Sequence, residues 1–221
     1  MTDKRKQEQK KAEETTKKLI HKIDQNPYDV QNYYELGTLL TEMQSFPQAE
    51  ELFKKALTIF ENDKELSLLH YGLGNVFYST GLYQEAIEEF QQVSNNELKG
   101  NAYLMIAQSM YAQNNYQQAM AFALTASDQL PQDKAPKKLV ADCLLALGDL
   151  KTAKSFYLQA LEVDSKDAHT LFQLGLIEFT QESPQAGQEY FEKAKKIDER
   201  YFNKMKERLG DIQKTINLKD D

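Results

Sequence analysis

The chain has 221 residues, of which 41% are hydrophobic and 28% charged, and a net charge of −7, a composition typical of ordinary globular proteins. Its nine glycines and five prolines are too few for the frequent turns of an all-β chain, and the single cysteine, Cys143, excludes an internal disulfide. No stretch approaches the roughly 18 apolar residues of a membrane span, and no apolar segment follows the charged first residues as in a secretory signal. We therefore expect a cytoplasmic protein without membrane contact.

Charge is distributed unevenly along the chain. Residues 1–22 carry a net charge of +4, residues 23–133 carry −11, and residues 134–221 are neutral. We expect residues 1–11 to form a disordered charged tail, although such a basic run can also touch an anionic surface. Residues 12–24 predict a helix with Leu19, Ile20 and Ile23 on one face. The acidic middle repels phosphate, so we expect no nucleic-acid partner.

Small residues recur at fixed steps along the rest of the chain. Three sets of five follow one another at offsets of twelve and seven residues, and fourteen of the fifteen positions hold Ala or Gly, where the overall composition would give about two. The sets are Gly37, Gly74, Ala107, Ala141 and Gly175; Ala49, Ala86, Ala119, Ala153 and Gly187; and Ala56, Val93, Ala126, Ala160 and Ala194. Between the second and third sets lie mostly large apolar residues, namely Phe53, Phe90, Ala123, Tyr157 and Phe191.

This spacing predicts five pairs of antiparallel helices that cross at the small residues, where the two backbones can approach closely. The predicted repeats cover residues 30–63, 67–99, 100–133, 134–167 and 168–201, with three extra residues around Glu61–Ser67 that lengthen a loop or a helix. Each pair buries only part of its apolar face, so neighbouring pairs must stack to complete the core. A final amphipathic helix over 202–217 is predicted to cap the stack, and the alternative is a dimerisation or partner-binding helix. Its apolar residues are Phe202, Met205, Leu209, Ile212 and Ile216.

The repeat resembles a known family. The combinations Tyr33-x2-Leu36-Gly37 with Ala49-x3-Phe53, His70-x2-Leu73-Gly74 with Ala86-x3-Phe90, and Leu171-x2-Leu174-Gly175 are similar to the tetratricopeptide repeat over residues 30–201. The chain lacks the family's tryptophan, and Ala123 stands where a large ring is usual. The resemblance implies an all-α fold, a right-handed superhelix of helical hairpins flanked by N- and C-terminal helices, forming a single solenoid over residues 12–217.

Residues that could support catalysis are scattered. The three histidines, His21, His70 and His169, lie in different segments without a second ligand at metal spacing, and no histidine lies near Cys143 in the repeat pattern to activate it. There is no phosphate-binding glycine loop and no hydrolase signature. We therefore expect no catalytic residue, no metal site and no cofactor.

The resemblance implies a concave groove lined by the first helix of each pair. Carried over by position, the groove residues are Tyr34, Thr38 and Thr41; Tyr71, Asn75 and Tyr78; Leu104, Gln108 and Tyr111; Lys138, Asp142 and Leu145; and Phe172, Leu176 and Phe179. Tyrosine combines a large contact area with a hydrogen-bonding tip, and a carboxamide can bond both backbone groups of a peptide. The alternative for any one ring is that it fills space between neighbouring repeats.

These residues favour a non-catalytic adaptor or scaffold that binds a peptide or helical segment in the groove. Some family members hold a C-terminal carboxylate with a ring of cations, which we do not expect here because Lys138 is the groove's single cation. We expect instead a neutral to basic partner with apolar anchors. Three alternatives remain: a chaperone-like holder of one client protein, an enzyme or a regulatory subunit of one, and an RNA-binding array. We expect a monomer or a weak homodimer.

Overall fold

A computed structural model describes residues 3–180 and 184–217, and every regular element in those ranges is an α-helix. The predicted all-α class is therefore confirmed. The helices are α1 Asp3–Gln25, α2 Val30–Glu42, α3 Phe46–Leu57, α4 Asp63–Thr80, α5 Tyr83–Gln91, α6 Asn96–Ala112, α7 Tyr116–Gln129, α8 Lys134–Ala146, α9 Leu150–Val163, α10 Ala168–Thr180, α11 Pro184–Ile197 and α12 Glu199–Asn217.

The helices form hairpins in the predicted order: α2 packs on α3, α4 on α5, α6 on α7, α8 on α9 and α10 on α11. The chain divides into two compact units, Met1–Gln129 and Leu130–Asp221. The first unit holds α1 and three hairpins, and the second holds two hairpins followed by α12.

The N-terminal helix is longer than predicted. Because α1 begins at Asp3, residues 3–11 are helical, which corrects the expectation of a disordered tail there. The helix packs on α2 through Leu19, which is buried, and Ile23, which is partly buried against the core, whereas Ile20 is 46% exposed. The extra residues near Glu61–Ser67 lengthen α4, which has 18 residues against 13 in α2.

An Asp or Asn side chain caps the start of each first helix. Its oxygen accepts a hydrogen bond from a backbone N–H of the first turn, which otherwise has no partner within the helix. Such caps also fix where the helix begins. The capping residues are Asp29, Asn62, Asn95, Asp133 and Asp167, with Asp198 at the start of α12.

Glycine and phenylalanine complement each other at the helix crossings. A Cβ atom at Gly74 would lie 2.6 Å from a ring carbon of Phe90, and one at Gly175 would lie 2.6 Å from a ring carbon of Phe191. At Gly37 a Cβ would overlap the Phe53 ring in the same way. The first small residue of these repeats therefore leaves room for the ring of its own second helix, as the spacing predicted.

The final helix α12 packs on α10 and α11. Tyr201, Phe202 and Met205 join a cluster around the buried residues Leu171 and Phe172. This helix begins at Glu199 rather than near 202, and its first turns contact the last hairpin as a cap would.

Candidate functional site

Two tyrosines of the first unit lie close together on neighbouring first helices. Tyr34 lies 6.4 Å from Phe53 and Tyr71 lies 5.6 Å from Phe90, measured between ring centroids. Burial raises the pKa of Tyr71, and the neighbouring Tyr34 raises it further. Both rings are half-buried, so each packs on its own repeat and still presents part of its surface.

Polar partners accompany these rings. Burial raises the pKa of Tyr34, and hydrogen bonding from Thr38 lowers that pKa in part. In the same way, hydrogen bonding from Asn75 lowers the pKa of Tyr71 in part. The partner follows its tyrosine by four residues, one helical turn, in both repeats. Together they form an amphipathic strip of ring and polar group, suited to a segment with apolar side chains and unpaired backbone groups.

A second pair of tyrosines recurs where the first helix turns into the second. Tyr78 contacts Tyr83 edge-to-face at 5.6 Å between centroids, and Tyr111 contacts Tyr116 at 5.2 Å. The predicted residues Tyr78 and Tyr111 are both half-buried, whereas sequence reasoning missed their second-helix partners. The 33-residue step between Tyr83 and Tyr116 could have revealed them.

The third repeat departs from the predicted register. Leu104 is buried, which corrects the expectation that it lines a groove, whereas Gln108 is half-buried. The ring pair here is Tyr103 with Phe122, 6.0 Å apart, one residue earlier on both helices than in the first two repeats. Phe122 thus supplies the ring that Ala123 lacks.

The helix α1 adds a wall that the sequence did not indicate as part of a site. A cleft of about 400 Å³ lies between α1 and α2 and contains Tyr34 and Thr38. Its rim carries charges of both signs, and the amphipathic pattern of residues 12–24 was the available signal. The charged rim residues are Lys18, Lys22, Glu35 and Glu42. Thr41 lies one turn beyond Thr38 and donates its hydroxyl to the Gly37 carbonyl.

In the second unit the predicted polar residues are engaged with their own fold. The Lys138 Nζ lies 3.6 Å from a carboxylate oxygen of Asp167, and Asp142 accepts a hydrogen bond from Tyr157. Burial raises the pKa of Asp142, which the nearby His169 partly offsets. These two residues therefore serve first as internal partners rather than as free groups for a ligand. Leu145, on the same helix, is half-buried.

The aromatic end of the predicted groove is mostly internal. Phe172 is 3% exposed, because its ring lies 5.3 Å from Phe191 and 5.8 Å from Phe202, which corrects the expectation that it anchors a partner. Leu176 is partly buried beside the same cluster. Phe179 differs, with 56% of its surface exposed. Sequence reasoning missed this burial because it requires α12 to lie over α10.

The single thiol and the imidazole of His70 are engaged within the fold. Burial raises the pKa of the Cys143 thiol to about 12, so the nucleophilic thiolate is disfavoured. The His70 Nδ1 lies 2.7 Å from a carboxylate oxygen of Glu89, which links α4 to α5. In the described part of the chain no group of three or more His, Cys, Asp or Glu could hold a metal ion, and no helix is long and apolar enough to cross a membrane.

Models of the tetratricopeptide repeat match residues 28–96, 77–143, 139–167 and 168–201. The chain belongs to the tetratricopeptide repeat family. The resemblance predicted from the small-residue spacing is therefore confirmed over the five hairpins. No curated protein sequence matches this tetratricopeptide repeat chain.

Solved structures share the fold at low sequence identity. YrrB, described as a tetratricopeptide repeat protein with an unusual peptide-binding site, is 20% identical with a TM-score of 0.63, covering 86% of this chain and 97% of that one. BtubC from P. vanneervenii is 15% identical with a TM-score of 0.71, covering 85% and 88%. MamA is 17% identical with a TM-score of 0.65, covering 75% and 96%.

Proposed function

We propose that this tetratricopeptide repeat protein is a non-catalytic adaptor that binds a protein segment on the first-helix face of its first unit. We define this face by Tyr34, Thr38, Tyr71, Asn75 and Tyr78. The observation that carries the proposal is the repeated pairing of a half-buried tyrosine with a polar side chain one turn away, on two neighbouring helices. The peptide-binding site named for YrrB, which shares the fold, supports the same kind of ligand.

The face is built before any partner arrives. Tyr34 and Tyr71 are fixed by contact with the buried rings of Phe53 and Phe90, so little side-chain entropy remains to be lost on binding. Tyrosine and asparagine then supply apolar area together with hydrogen bonds to an extended or helical segment. The partner we propose is a protein rather than a nucleic acid, neutral to basic with apolar anchors, because residues 23–133 carry a net charge of −11.

Site-specific photocrosslinking tests this placement. A benzoylphenylalanine at position 75, on the face, is compared in native cell extract with one at Gln84, an exposed position on the second helix α5. We expect position 75 to capture a defined segment, identified by mass spectrometry, that is neutral to basic with apolar residues. Equal capture at both positions, or none at position 75, would contradict the proposal.

Substitution then measures the contribution of the rings to binding the captured segment. Tyr71→Ala together with Tyr78→Ala should weaken binding by at least about tenfold, because truncation of a tyrosine at the centre of an interface commonly costs about 2 kcal/mol of binding free energy. Tyr71→Phe with Tyr78→Phe keeps the packing against Phe90 and isolates the hydroxyls. Tyr28→Ala is the matched control, since Tyr28 is 75% exposed and lies outside the face. Binding that survives the double alanine variant in a chain of unchanged helicity would rule out this face.

A further inference from the structure

A cleft of about 320 Å³ opens in the second unit between α11 and α12. Its lining includes Phe172, Phe191 and Phe202, whose ring centroids lie 5.3 to 6.1 Å apart. Phe172 is buried, whereas the other two rings are half-buried. The cleft thus has a rigid aromatic floor that keeps some apolar surface in contact with water.

The apolar stripe of α12 continues past the part that caps the last hairpin. Phe202 and Met205 pack into the core, and Leu209, one turn further, lines the cleft and is 37% exposed. In the sequence the same alternation of three and four residues extends to Ile212 and Ile216, on a helix that runs to Asn217. The apolar surface of the cleft is therefore continuous with the interface through which α12 packs on the last hairpin.

The packing of the hairpins indicates what kind of element fits this cleft. The first helices α2, α4, α6 and α10 each pack on the preceding helix and on the second helix of their own hairpin, as α4 packs on α3 and on α5. In the described part of the chain, the helices that pack extensively on α12 are α10 and α11. A helix laid along the cleft would contact α12 in the way that a second helix contacts the first.

Charge at the rim selects among possible helices. Lys195 from α11 and Lys206 from α12 both line the cleft and are exposed, against one lining carboxylate, Glu192. The Lys195 Nζ also lies 3.8 Å from a carboxylate oxygen of the exposed Glu199. Arg208 follows in the sequence beside Leu209. A second copy of α12, with five Lys or Arg against three Asp or Glu in residues 199–217, would bring a net positive helix against these cations, which is unfavourable. Acidic side chains beside apolar anchors would be complementary.

We propose that the α11–α12 cleft binds an amphipathic helix of another protein, with leucine-like anchors at i, i+3 or i+4, and i+7 and with acidic residues beside them. The anchors cover Phe191, Phe202 and Leu209, and the acidic residues pair with Lys195 and Lys206. This helix-in-groove mode is distinct from the first-helix face and does not depend on it.

Two designed peptides test the proposal by fluorescence anisotropy with the full chain carrying Tyr71→Ala and Tyr78→Ala, which removes the first-helix face as a second binding surface. Both carry leucines at the stated spacing, and the flanking positions are all Glu in one and all Lys in the other. We expect the Glu peptide to bind at least about tenfold more tightly at low salt, and the difference to shrink as salt is raised. Lys195→Glu with Lys206→Glu should reverse the preference.

Further variants separate the cleft from the rest of the chain. Leu209→Asp should weaken the Glu peptide by about tenfold or more through lost apolar contact, and Leu209→Ala by less. Restoring Tyr71 and Tyr78 should leave the affinity for the Glu peptide unchanged. Circular dichroism confirms that each variant keeps its helicity.

Three outcomes would overturn the proposal: absence of binding by the Glu peptide, equal affinity for both peptides, and a preference that the double charge reversal leaves unchanged. Sedimentation of the full chain addresses the remaining occupant. A concentration-dependent dimer that Leu209→Asp abolishes would assign the cleft to a second copy instead.

Discussion

At the scale of single residues, the turns within the hairpins carry unequal backbone strain. Among the described residues, positive φ angles occur at Gln44 (60°), Gly81 (80°), Asn114 (60°) and Gly148 (85°), which fall at corresponding turns of the first four repeats. The left-handed conformation costs about 1 kcal/mol for most side chains, less for Asn and least for Gly. We therefore expect Gln44→Gly to raise the free energy of unfolding by up to about 1 kcal/mol, with a smaller gain for Asn114→Gly.

Urea denaturation of the variants measures this effect. Glu51→Gly, at an exposed position inside α3, is the matched control and should lower the free energy of unfolding by about 1 kcal/mol, because glycine is a poor helix former. The strain interpretation would fail if Gln44→Gly were destabilising like the control.

A second residue-scale effect concerns His169. Burial lowers the pKa of His169, which the carboxylate of Asp142 partly offsets, and Lys138 and Asp167 also act on it. Since its folded pKa lies below the unfolded value, the unfolded chain binds the proton more readily, and the contribution to stability is lost as pH falls below about 6.5. The loss for one proton cannot exceed about 1.4 kcal/mol per pH unit.

Denaturation at pH 7.5 and 5.5 tests this sign. The wild-type chain should lose more stability between the two values than His169→Gln, which keeps Asp142 and Lys138 in place but cannot take up a proton. His21→Gln is the comparison, because His21 is exposed. Equal pH dependence of wild type and His169→Gln would show that His169 does not titrate in this range.

At the scale of elements, the hairpins with a glycine at the crossing place a phenylalanine ring against it, and the fourth hairpin has Ala141 and Tyr157 at these two positions. Glycine faces phenylalanine in the pairs Gly74–Phe90 and Gly175–Phe191, whereas the third repeat has Ala107 and Ala123, both fully buried. Ala123→Phe should overpack this crossing and cost about 1 to 3 kcal/mol. Adding Ala107→Gly should recover part of the loss, as measured by a double-mutant cycle in urea. Additive losses would mean that the two positions do not share one space.

The hairpins could be predicted from the sequence, whereas the exposure of single side chains could not. Small residues at fixed steps determined the hairpins, because backbone approach at a crossing depends on local residue size. The exposure of individual groove residues was not predictable, since it depends on neighbouring elements. Phe172 is buried because α12 lies over it, and Leu104 because the ring pair shifts to Tyr103. Asp29 and its equivalents are typical capping residues, but they could be assigned as caps only once the first residue of each helix was known.

At the scale of the whole molecule, charge divides along the chain in the same way as the proposed surfaces. Residues 23–133, which include the first-helix face, carry −11, whereas the α11–α12 cleft is lined by two lysines and one glutamate. The two proposed surfaces, with opposite charge preferences, would allow the chain to hold two different partners without competition. Such an arrangement would make the protein a bridge rather than a single-site binder.

Hydrogen exchange on the full chain tests this division. The Glu-flanked leucine peptide should slow exchange in α11 and α12, and the Lys-flanked peptide should slow exchange in α2 and α4, because each ligand protects the helices that it contacts. With both peptides present, both sets of helices should be protected together. Lys195→Glu with Lys206→Glu should remove the first protection, and Tyr71→Ala with Tyr78→Ala the second. Protection of the same helices by both peptides would show one general apolar surface and no bridge.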